Sequence, residues 1–293
     1  MSVKFYKVKL AFKLIKIFGK LKKTINMKSI KELMNLEGRV ALITGATGGI
    51  GQEAAITIAE LGGDLLLVDR PGSNYDFIKE KISQKYKVRV ECISCDLEDE
   101  LSRERLINQV NNNNEKLNII INNAAFVGER GLSGWTVNFE EQSIKTWRRA
   151  LEVNLTAIFH LSQGLSSKLK KSEFASIINI SSIYGVNGPD YSLYEGTEMG
   201  NPAAYSTSKG GLIQLTRWLS TTISPDIRVN TISPGGVFRD QPQEFVERYK
   251  KRTPLGRMAV EEDFKGIIAY LASDMSKYVT GQNINIDGGW TVW

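Results

Sequence analysis

The sequence predicts an α/β fold in which a doubly wound, mostly parallel sheet of seven strands is flanked by helices on both faces. Short apolar runs alternate along the chain with stretches of helical pattern. The runs are apolar throughout, as expected where helices cover both faces of a parallel sheet. A glycine-rich stretch follows the first run, where the ligand crevice of such a sheet begins. The predicted strands are 40–44, 64–68, 88–93, 117–121, 175–180, 227–232 and 283–286.

Length and composition favour one large core. The chain has 293 residues, of which 42% are hydrophobic and 24% charged, and a chain of this size can bury a single core with an appendage. All seven predicted strands fall between residues 37 and 293. We therefore predict one domain over residues 37–293 and an extension over residues 1–36.

The extension is strongly basic. It holds ten lysines and one acidic residue, Glu32, a net charge of +9, which leaves −3 for the rest of a chain whose total is +6. Wound as a helix, it places lysines on one face and large apolar residues on the other, a pattern that can lie on an anionic membrane surface. Peripheral membrane contact through residues 1–26 and a disordered or artefactual extension, with Met27 as the start, both stay open. Lysines interrupt the pattern too often for a membrane span, and no signal-peptide core is present.

The first predicted strand ends in a glycine-rich turn. Residues 40–44 lead into Gly45-Ala-Thr-Gly-Gly-Ile-Gly51 and then into a helical stretch, 52–61. A glycine turn between strand and helix lets the backbone approach a pyrophosphate and aims the helix N-terminus at it. The spacing differs from the common Gly-x-Gly-x-x-Gly. The arrangement still predicts a Rossmann-type dinucleotide site.

The second predicted strand ends in an acidic residue. Asp69 lies eighteen residues after Gly51. An acidic side chain at this place accepts hydrogen bonds from the adenosine ribose and repels a 2′-phosphate. We therefore predict that NAD is preferred, while Arg70 beside it leaves NADP open. An ordinary turn residue is the alternative interpretation of Asp69.

Polar residues also follow the fourth and fifth strands. Asn122 directly follows the fourth and Ser182 comes just after the fifth. Because the carboxyl ends of parallel strands meet at one edge, these residues, Asp69 and the glycine turn are expected at one crevice.

Tyr205 and Lys209 are predicted to share one face of a helix. Asn201 is predicted to cap this helix and Pro202 to be its first residue. Residues four apart lie on the same helix face, and a nearby ammonium stabilises a phenolate. The pair is therefore a candidate general acid/base for an alcohol oxygen, with a solvated face as the alternative.

Cysteine and histidine chemistry is not expected. Cys92 and Cys95 straddle the end of a predicted strand, where residues three apart point to opposite faces, and no second pair completes a zinc site. We predict reduced, partly buried cysteines and no metal. His160 is the single histidine, and a packing or subunit-contact role is expected for it.

Several motifs of the chain, in the order that the family has them, resemble the short-chain dehydrogenase/reductase family in its compact one-domain form. They are Thr44-Gly-x-x-x-Gly-x-Gly51, Asn122-Asn-Ala-Ala125, Asn154, Ser182 and Tyr205-x-x-x-Lys209. The resemblance runs from about residue 38 to residue 289. It implies a cytoplasmic NAD(P)-dependent oxidoreductase that acts on a small molecule and forms a homodimer or homotetramer. No nucleic-acid partner is expected.

The resemblance also implies roles for individual residues. Tyr205 would donate and accept the proton, and Lys209 would lower its pKa and hold the nicotinamide ribose. Ser182 would bind the substrate oxygen, and Asn154 would support a water-linked proton relay. The implied cofactor-binding residues are Gly45, Thr47, Gly49, Ile50, Gly51, Asp69, Asp96, Leu97, Asn123, Ala124, Tyr205, Lys209, Pro234 and Gly235.

The chain departs from the family pattern most between Ser182 and Tyr205. The 23 positions that separate them are more than is usual, so the segment 186–200 must loop out. Its tyrosines suit contact with a polar ring, and oligomer contact is an equal alternative. With residues 134–142, it is similar to members associated with flagellin and surface-sugar modification. That similarity implies a sugar phosphate or a nucleotide sugar as substrate.

The loop after the sixth strand, residues 234–257, is the expected lid over the substrate. Its cations could bind a phosphate or carboxylate, or form a solvated basic face. They are Arg239, Arg248, Lys250, Lys251, Arg252 and Arg257. The alternative to an enzyme is a non-catalytic dinucleotide-binding regulator or membrane-tethered module.

Overall fold

The computed structural model describes residues 27–113, 116–128 and 131–293. Within them, Met34–Trp293 forms one compact unit. Ahead of it, Ser29 begins the short helix α1 (Ile30–Met34) with a capping box, in which the Ser29 hydroxyl accepts from the Glu32 amide at 3.2 Å and the Glu32 carboxylate from the Ser29 amide at 2.7 Å. The expectations about residues 1–26 lie outside the described residues.

The described residues form one seven-stranded sheet in which all neighbouring strands are parallel. Their order is β3-β2-β1-β4-β5-β6-β7, which confirms the predicted doubly wound fold. The strands are β1 (Val40–Thr44), β2 (Asp64–Asp69), β3 (Val90–Ser94), β4 (Ile119–Asn122), β5 (Ala175–Ile180), β6 (Ile227–Pro234) and β7 (Asn283–Ile286).

The helices alternate with these strands, as the sequence pattern predicts. They are α2 (Gly49–Glu60), α3 (Asp76–Ser83), α4 (Glu100–Asn112), α5 (Ile144–Leu151), α6 (Ala157–Leu169), α7 (Ala203–Thr222), α8 (Gln243–Arg252) and α9 (Lys265–Ala272). None of the helices in the described part of the chain is both long and apolar enough to cross a membrane.

The sheet separates two apolar cores. Ile43 packs on one face with Ile58 of α2 and Leu271 of α9, whereas its neighbour Leu42 packs on the other with Leu161 of α6. Successive strand residues point to opposite faces, and each fully buried Leu or Ile contributes about 1.5–3 kcal/mol. Burial on both faces explains why the strands are apolar at nearly every position.

The start of α7 differs from the prediction. Pro202 has φ −68° and ψ 147°, an extended conformation, so it is the N-cap and the helix begins at Ala203. The predicted cap at Asn201 is wrong, because its side-chain oxygen accepts from the Ser206 hydroxyl at 3.2 Å instead of from a first-turn amide. Tyr205 and Lys209 nevertheless lie on this helix, one turn apart.

Candidate active site

A cleft of about 1040 Å³ lies along the carboxyl ends of the strands. This is where doubly wound sheets bind ligands. The sequence-predicted residues that line it are Gly45, Thr47, Gly49, Ile50, Asp69, Asp96, Leu97, Asn123, Ala124, Ser182, Tyr205, Lys209, Pro234 and Gly235. Gly51 and Asn154 are buried and do not line it.

The glycine turn presents the start of α2 to the cleft. Gly45 has φ +62°, and a Cβ there would lie 2.8 Å from the Cα of Ala124, so only glycine fits this approach. Gly48 is the N-cap and supplies no side-chain acceptor. Gly48, Gly49 and Ile50 all line the cleft. The first-turn amides of α2 therefore suit the pyrophosphate of a dinucleotide.

Gly51 packs against the turn. It is buried in α2, and a Cβ on it would lie 2.1 Å from the carbonyl oxygen of Gly45. It is not among the residues that line the cleft, and the cofactor contact implied for it stays a prediction. Its function in the fold is to let α2 approach the end of β1.

Asp69 holds the glycine turn from the end of β2. One of its carboxylate oxygens accepts from the amide and hydroxyl of Thr47, at 2.9 and 2.8 Å. The other accepts from the Arg70 amide at 2.8 Å and the Ser73 hydroxyl at 3.2 Å. The carboxylate is thus fixed at the edge of the cleft, where the adenosine ribose of a dinucleotide would lie.

Asn123 ties the end of β4 to the same turn. Its side-chain amide donates to the carbonyls of Thr44 and Gly45, at 3.1 and 2.9 Å. The Thr44 hydroxyl in return accepts from the amides of Asn123 and Ala124, both at 3.1 Å. The turn is therefore braced from two neighbouring strands, which fixes its shape before a ligand binds.

Tyr205 and Lys209 face the cleft from α7. Lys209 is 2% exposed, and its Nζ donates to the carbonyl of Ile180 at 2.8 Å. The same Nζ lies 5.7 Å from the centroid of the Tyr205 ring. The ammonium is thus anchored at the end of β5, beside the phenol.

The pKa values of the pair follow from burial. Burial lowers the pKa of Lys209 to about 8. Burial also raises the pKa of Tyr205, while a hydrogen bond from Ser182 and the charge of Arg239 offset part of that rise. Removing the phenolate from water thus outweighs these two neighbours, and the role implied for Lys209 in lowering the pKa of Tyr205 stays a prediction. At neutral pH Tyr205 is therefore a proton donor.

The two adjacent serines have different partners. Ser181 donates its hydroxyl to the carbonyl of Lys209 at 2.8 Å, in a buried contact. The Ser182 hydroxyl accepts from the Tyr184 amide at 3.1 Å and hydrogen bonds to Tyr205. Ser182 is therefore the serine beside the phenol, and Ser181 secures α7 to β5.

We expect Ser182→Ala to lower kcat/KM about tenfold, as for a lost hydrogen bond of roughly 1.4 kcal/mol to the reacting oxygen. Steady-state rates would measure this loss. Ser181→Ala is the matched control, and its effect should appear in the free energy of unfolding, by about 1 kcal/mol. A larger loss of kcat/KM in Ser181→Ala than in Ser182→Ala would contradict the assignment.

Asn154 lies in a π-helical turn, Glu152–Thr156, between α5 and α6. Its side-chain oxygen accepts from the Phe126 amide at 2.6 Å, and its amide donates to the Ser208 hydroxyl at 3.0 Å. Such turns are frequent at functional sites. Asn154 joins the loop after β4 to α7, so it supports Tyr205 and Lys209 from behind. The proton relay implied for it stays a prediction.

The other candidate groups lie apart from the cleft or have structural contacts. Cys92 and Cys95 are free and belong to opposite cores, although Cys95 also lines the cleft. His160 accepts at Nδ1 from Arg103 at 3.2 Å, a packing contact. Within residues 27–113, 116–128 and 131–293, no cluster of His, Cys, Asp and Glu is arranged to hold a metal.

Sequence reasoning predicted only part of an apolar group at the far end of the cleft. It pointed to Tyr194, whose segment 186–200 was expected to contact a polar ring, and it missed Tyr184, Phe245, Tyr249 and Met258. Tyr184 follows Ser182 by two residues, which was a local signal. The others come from α8 and the residues after it, so only folding brings them together.

A family model described as "Enoyl-(Acyl carrier protein) reductase" matches residues 45–291. The chain is 30% identical to the 3-oxoacyl-[acyl-carrier-protein] reductase FabG of Aquifex aeolicus, over 87% of this chain and 98% of that protein. It is also 30% identical to post-translational flagellin modification protein A of Campylobacter coli, over 87% and 99%. To the NADP-dependent mannitol dehydrogenase of Alternaria alternata it is 30% identical over 90% and 96%.

Solved structures give the same picture. The NADPH-dependent 3-quinuclidinone reductase of Rhodotorula rubra superposes with a TM-score of 0.79 at 28% identity, over 91% of this chain and 96% of that one. A short-chain dehydrogenase of Leptospira borgpetersenii with bound NAD+ has a TM-score of 0.76 at 32% identity, over 90% and 96%.

Proposed function

The chain belongs to the short-chain dehydrogenase/reductase family of NAD(P)-dependent oxidoreductases, and from this premise we propose that it interconverts a secondary alcohol and a ketone on a polar, sugar-like substrate. One observation carries the proposal. Ser182, Tyr205 and Lys209 lie on the cleft that the glycine turn and Asp69 also line. A proton donor and a dinucleotide site thus share one cavity, as hydride transfer coupled to proton transfer requires.

In the reductive direction, the Ser182 hydroxyl donates a hydrogen bond to the ketone oxygen, and Tyr205 gives that oxygen its proton. The nicotinamide, when bound, supplies or accepts the hydride. Lys209 places a positive charge beside the phenol and stabilises the phenolate that remains. In the oxidative direction, the same phenolate takes the hydroxyl proton.

Turnover with purified protein tests this function. The absorbance of the reduced nicotinamide is followed with NADH or NADPH and a panel of ketoses, sugar phosphates and simple cyclic ketones. We expect turnover of at least one ketone with one of the two cofactors. Tight cofactor binding with no turnover on the panel would instead support the non-catalytic dinucleotide-binding module.

NAD is proposed as the preferred cofactor. The fixed carboxylate of Asp69 at the end of β2 supports this choice, since it repels a 2′-phosphate and suits a free ribose hydroxyl pair. Arg70 beside it lines the same cleft and favours NADP. The names of relatives include both cofactors: NADP or NADPH for the mannitol dehydrogenase and the quinuclidinone reductase, and NAD+ for one structure.

Replacing Asp69 by asparagine is expected to shift the ratio of NADH to NADPH affinity at least about tenfold towards NADPH, because one charge repulsion is lost. Fluorescence titration of each cofactor measures the ratio. Asp64→Asn, at the opposite end of β2, is the control and should leave the ratio unchanged. Tighter binding of NADPH than NADH by the unaltered protein would show that Arg70, and not Asp69, determines the cofactor preference.

Three further expectations belong to the same proposal. A homodimer or homotetramer is expected, and light scattering on the purified protein measures it. A cytoplasmic location is supported by two free cysteines, and fractionation of cells tests it. Residues 37–293 are proposed as the catalytic domain, but Leu36 is buried in the same core, so it is a variant that begins at Met34, the start of the compact unit, that should keep its activity.

A further inference from the structure

The segment 186–200 forms one wall of the cleft and is bound to α8. Asp190 begins its 3-10 turn, Tyr191–Leu193, by accepting from the Ser192 amide at 3.1 Å, and it pairs with Arg252 of α8 at 2.8 Å. Arg248, also on α8, donates to the carbonyls of Leu193 and Glu195. Segment and helix are therefore tied together by charge-assisted hydrogen bonds.

Tyr194 is, with Met199, one of the two side chains that this wall presents to the cleft. It is 9% exposed, and its ring packs on Phe245 with centroids 5.5 Å apart. Its hydroxyl lies 2.5 Å from the hydroxyl of Tyr184, and both residues line the cleft. Tyr205 lines the same cleft. The Tyr184–Tyr194 pair thus shares the cleft with the candidate proton donor.

Counting protons on these phenols shows two unused donors. In the Tyr184–Tyr194 pair one hydroxyl donates to the other, which leaves one proton without an acceptor among the described residues. Tyr249 accepts from the Gly236 amide at 2.5 Å, and its own proton likewise has no acceptor there. Burial raises the pKa of Tyr194 to about 12, and the pKa of Tyr184 and Tyr249 in the same direction. All three therefore stay protonated at neutral pH.

The cations of the lid loop already have partners. Arg239 pairs with Glu261 at 3.2 Å, Lys250 with Glu247 at 3.0 Å and Arg257 with Asp263 at 2.6 Å. Arg248 and Arg252 fasten the wall, as described above. Lys251 is exposed, and of the six described cations Arg239 alone lines the cleft. Among the described residues, the far end of the cleft thus offers hydroxyl donors and aromatic faces, and the one lid-loop cation that lines the cleft, Arg239, is ion-paired with Glu261.

We infer that this end of the cleft is a subsite for an uncharged, polyhydroxylated carbon chain or ring, and that Tyr194 is the residue that selects it. The inference rests on the proposed alcohol–ketone chemistry and narrows its substrate. Substrate oxygens would accept from the Tyr184–Tyr194 pair and from Tyr249, while the carbon skeleton packs on the aromatic rings. Aromatic walls with a few placed polar groups are the usual form of such sites.

Rates on a chosen panel test the inference. The neutral probes are L-sorbose, D-fructose and, in the oxidative direction, D-mannitol. The charged probes are D-fructose 6-phosphate and acetoacetyl-coenzyme A, and cyclohexanone reports chemistry without hydroxyl recognition. We expect the largest kcat/KM on a neutral polyhydroxylated probe. In Tyr194→Phe, kcat/KM on the best neutral polyhydroxylated probe, divided by kcat/KM on cyclohexanone, should fall about tenfold, as for one lost hydrogen bond.

Tyr191→Phe is the matched control, since Tyr191 lies in the same segment but is 61% exposed and does not line the cleft. Its ratio should equal that of the unaltered protein. A preference for either charged probe, an unchanged ratio in Tyr194→Phe, or turnover of cyclohexanone without any neutral probe would overturn the subsite and leave the oxidoreductase standing. Absence of turnover on the whole panel would overturn both.

Discussion

Tyr205→Phe is expected to lower kcat by about 10²–10⁴-fold, the usual contribution of a positioned general acid. The substitution removes one oxygen and leaves the ring on α7, close to Lys209. Cofactor affinity should change far less than kcat, because the proposed dinucleotide site also includes the glycine turn and Asp69, which the substitution leaves intact. Steady-state rates and a cofactor titration on the same preparation measure the two quantities.

The pH dependence gives this prediction a second observable. Burial raises the pKa of Tyr205, so the phenol is protonated below that pKa and is lost as a donor when the pH rises through it. Reduction by the unaltered protein should therefore slow on the alkaline side, and the residual rate of Tyr205→Phe should lack that step. Tyr191→Phe, which alters an exposed tyrosine outside the cleft, is the control. A Tyr205→Phe variant within about tenfold of full activity would remove Tyr205 from the chemistry.

Local patterns predicted the sheet because each strand carries its own signal. The runs at 40–44, 175–180 and 283–286 match β1, β5 and β7 residue for residue. The observed strand boundaries differ from the predicted ones where the signal is weak, as at β3, which begins at Val90 instead of residue 88. The predicted start of α7 was wrong for a related reason. Proline fits either the N-cap or the first helical turn, and only its ψ angle distinguishes the two positions.

The site was predictable to the level of which residues reach the cleft. Asp69 and Ser182 line it because the carboxyl ends of parallel strands share an edge. Partners across long stretches of sequence were not predictable. Asp190 pairs with Arg252, and Arg239 with Glu261. Such pairings depend on how loops pack, so the sequence did not show that four of the six cations considered for a phosphate site are ion-paired with carboxylates in the fold.

Gly51→Ala is expected to destabilise the protein and loosen the cofactor site together. A Cβ at this position would lie 2.1 Å from the Gly45 carbonyl oxygen and 2.7 Å from the Asn123 side-chain amide. Backbone cannot rotate away as a side chain does, so the cost should approach the upper end of overpacking, about 3 kcal/mol. Alanine in a helix regains about 1 kcal/mol over glycine. The free energy of unfolding should therefore fall by about 2 kcal/mol.

Gly266→Ala, also a glycine-to-alanine substitution, is expected to have the opposite effect on stability. Gly266 lies in α9, where a Cβ meets nothing within 4 Å, so helix propensity acts alone and stability should rise by about 0.4–1 kcal/mol. Denaturant unfolding of both variants measures the two signs. Gly51 packs against the turn and does not line the cleft, so we expect the loss of cofactor affinity in Gly51→Ala to come from a shifted Gly45 and Asn123. A Gly51→Ala variant as stable as Gly266→Ala would show that the turn can move away, and that its shape is not what binds the dinucleotide.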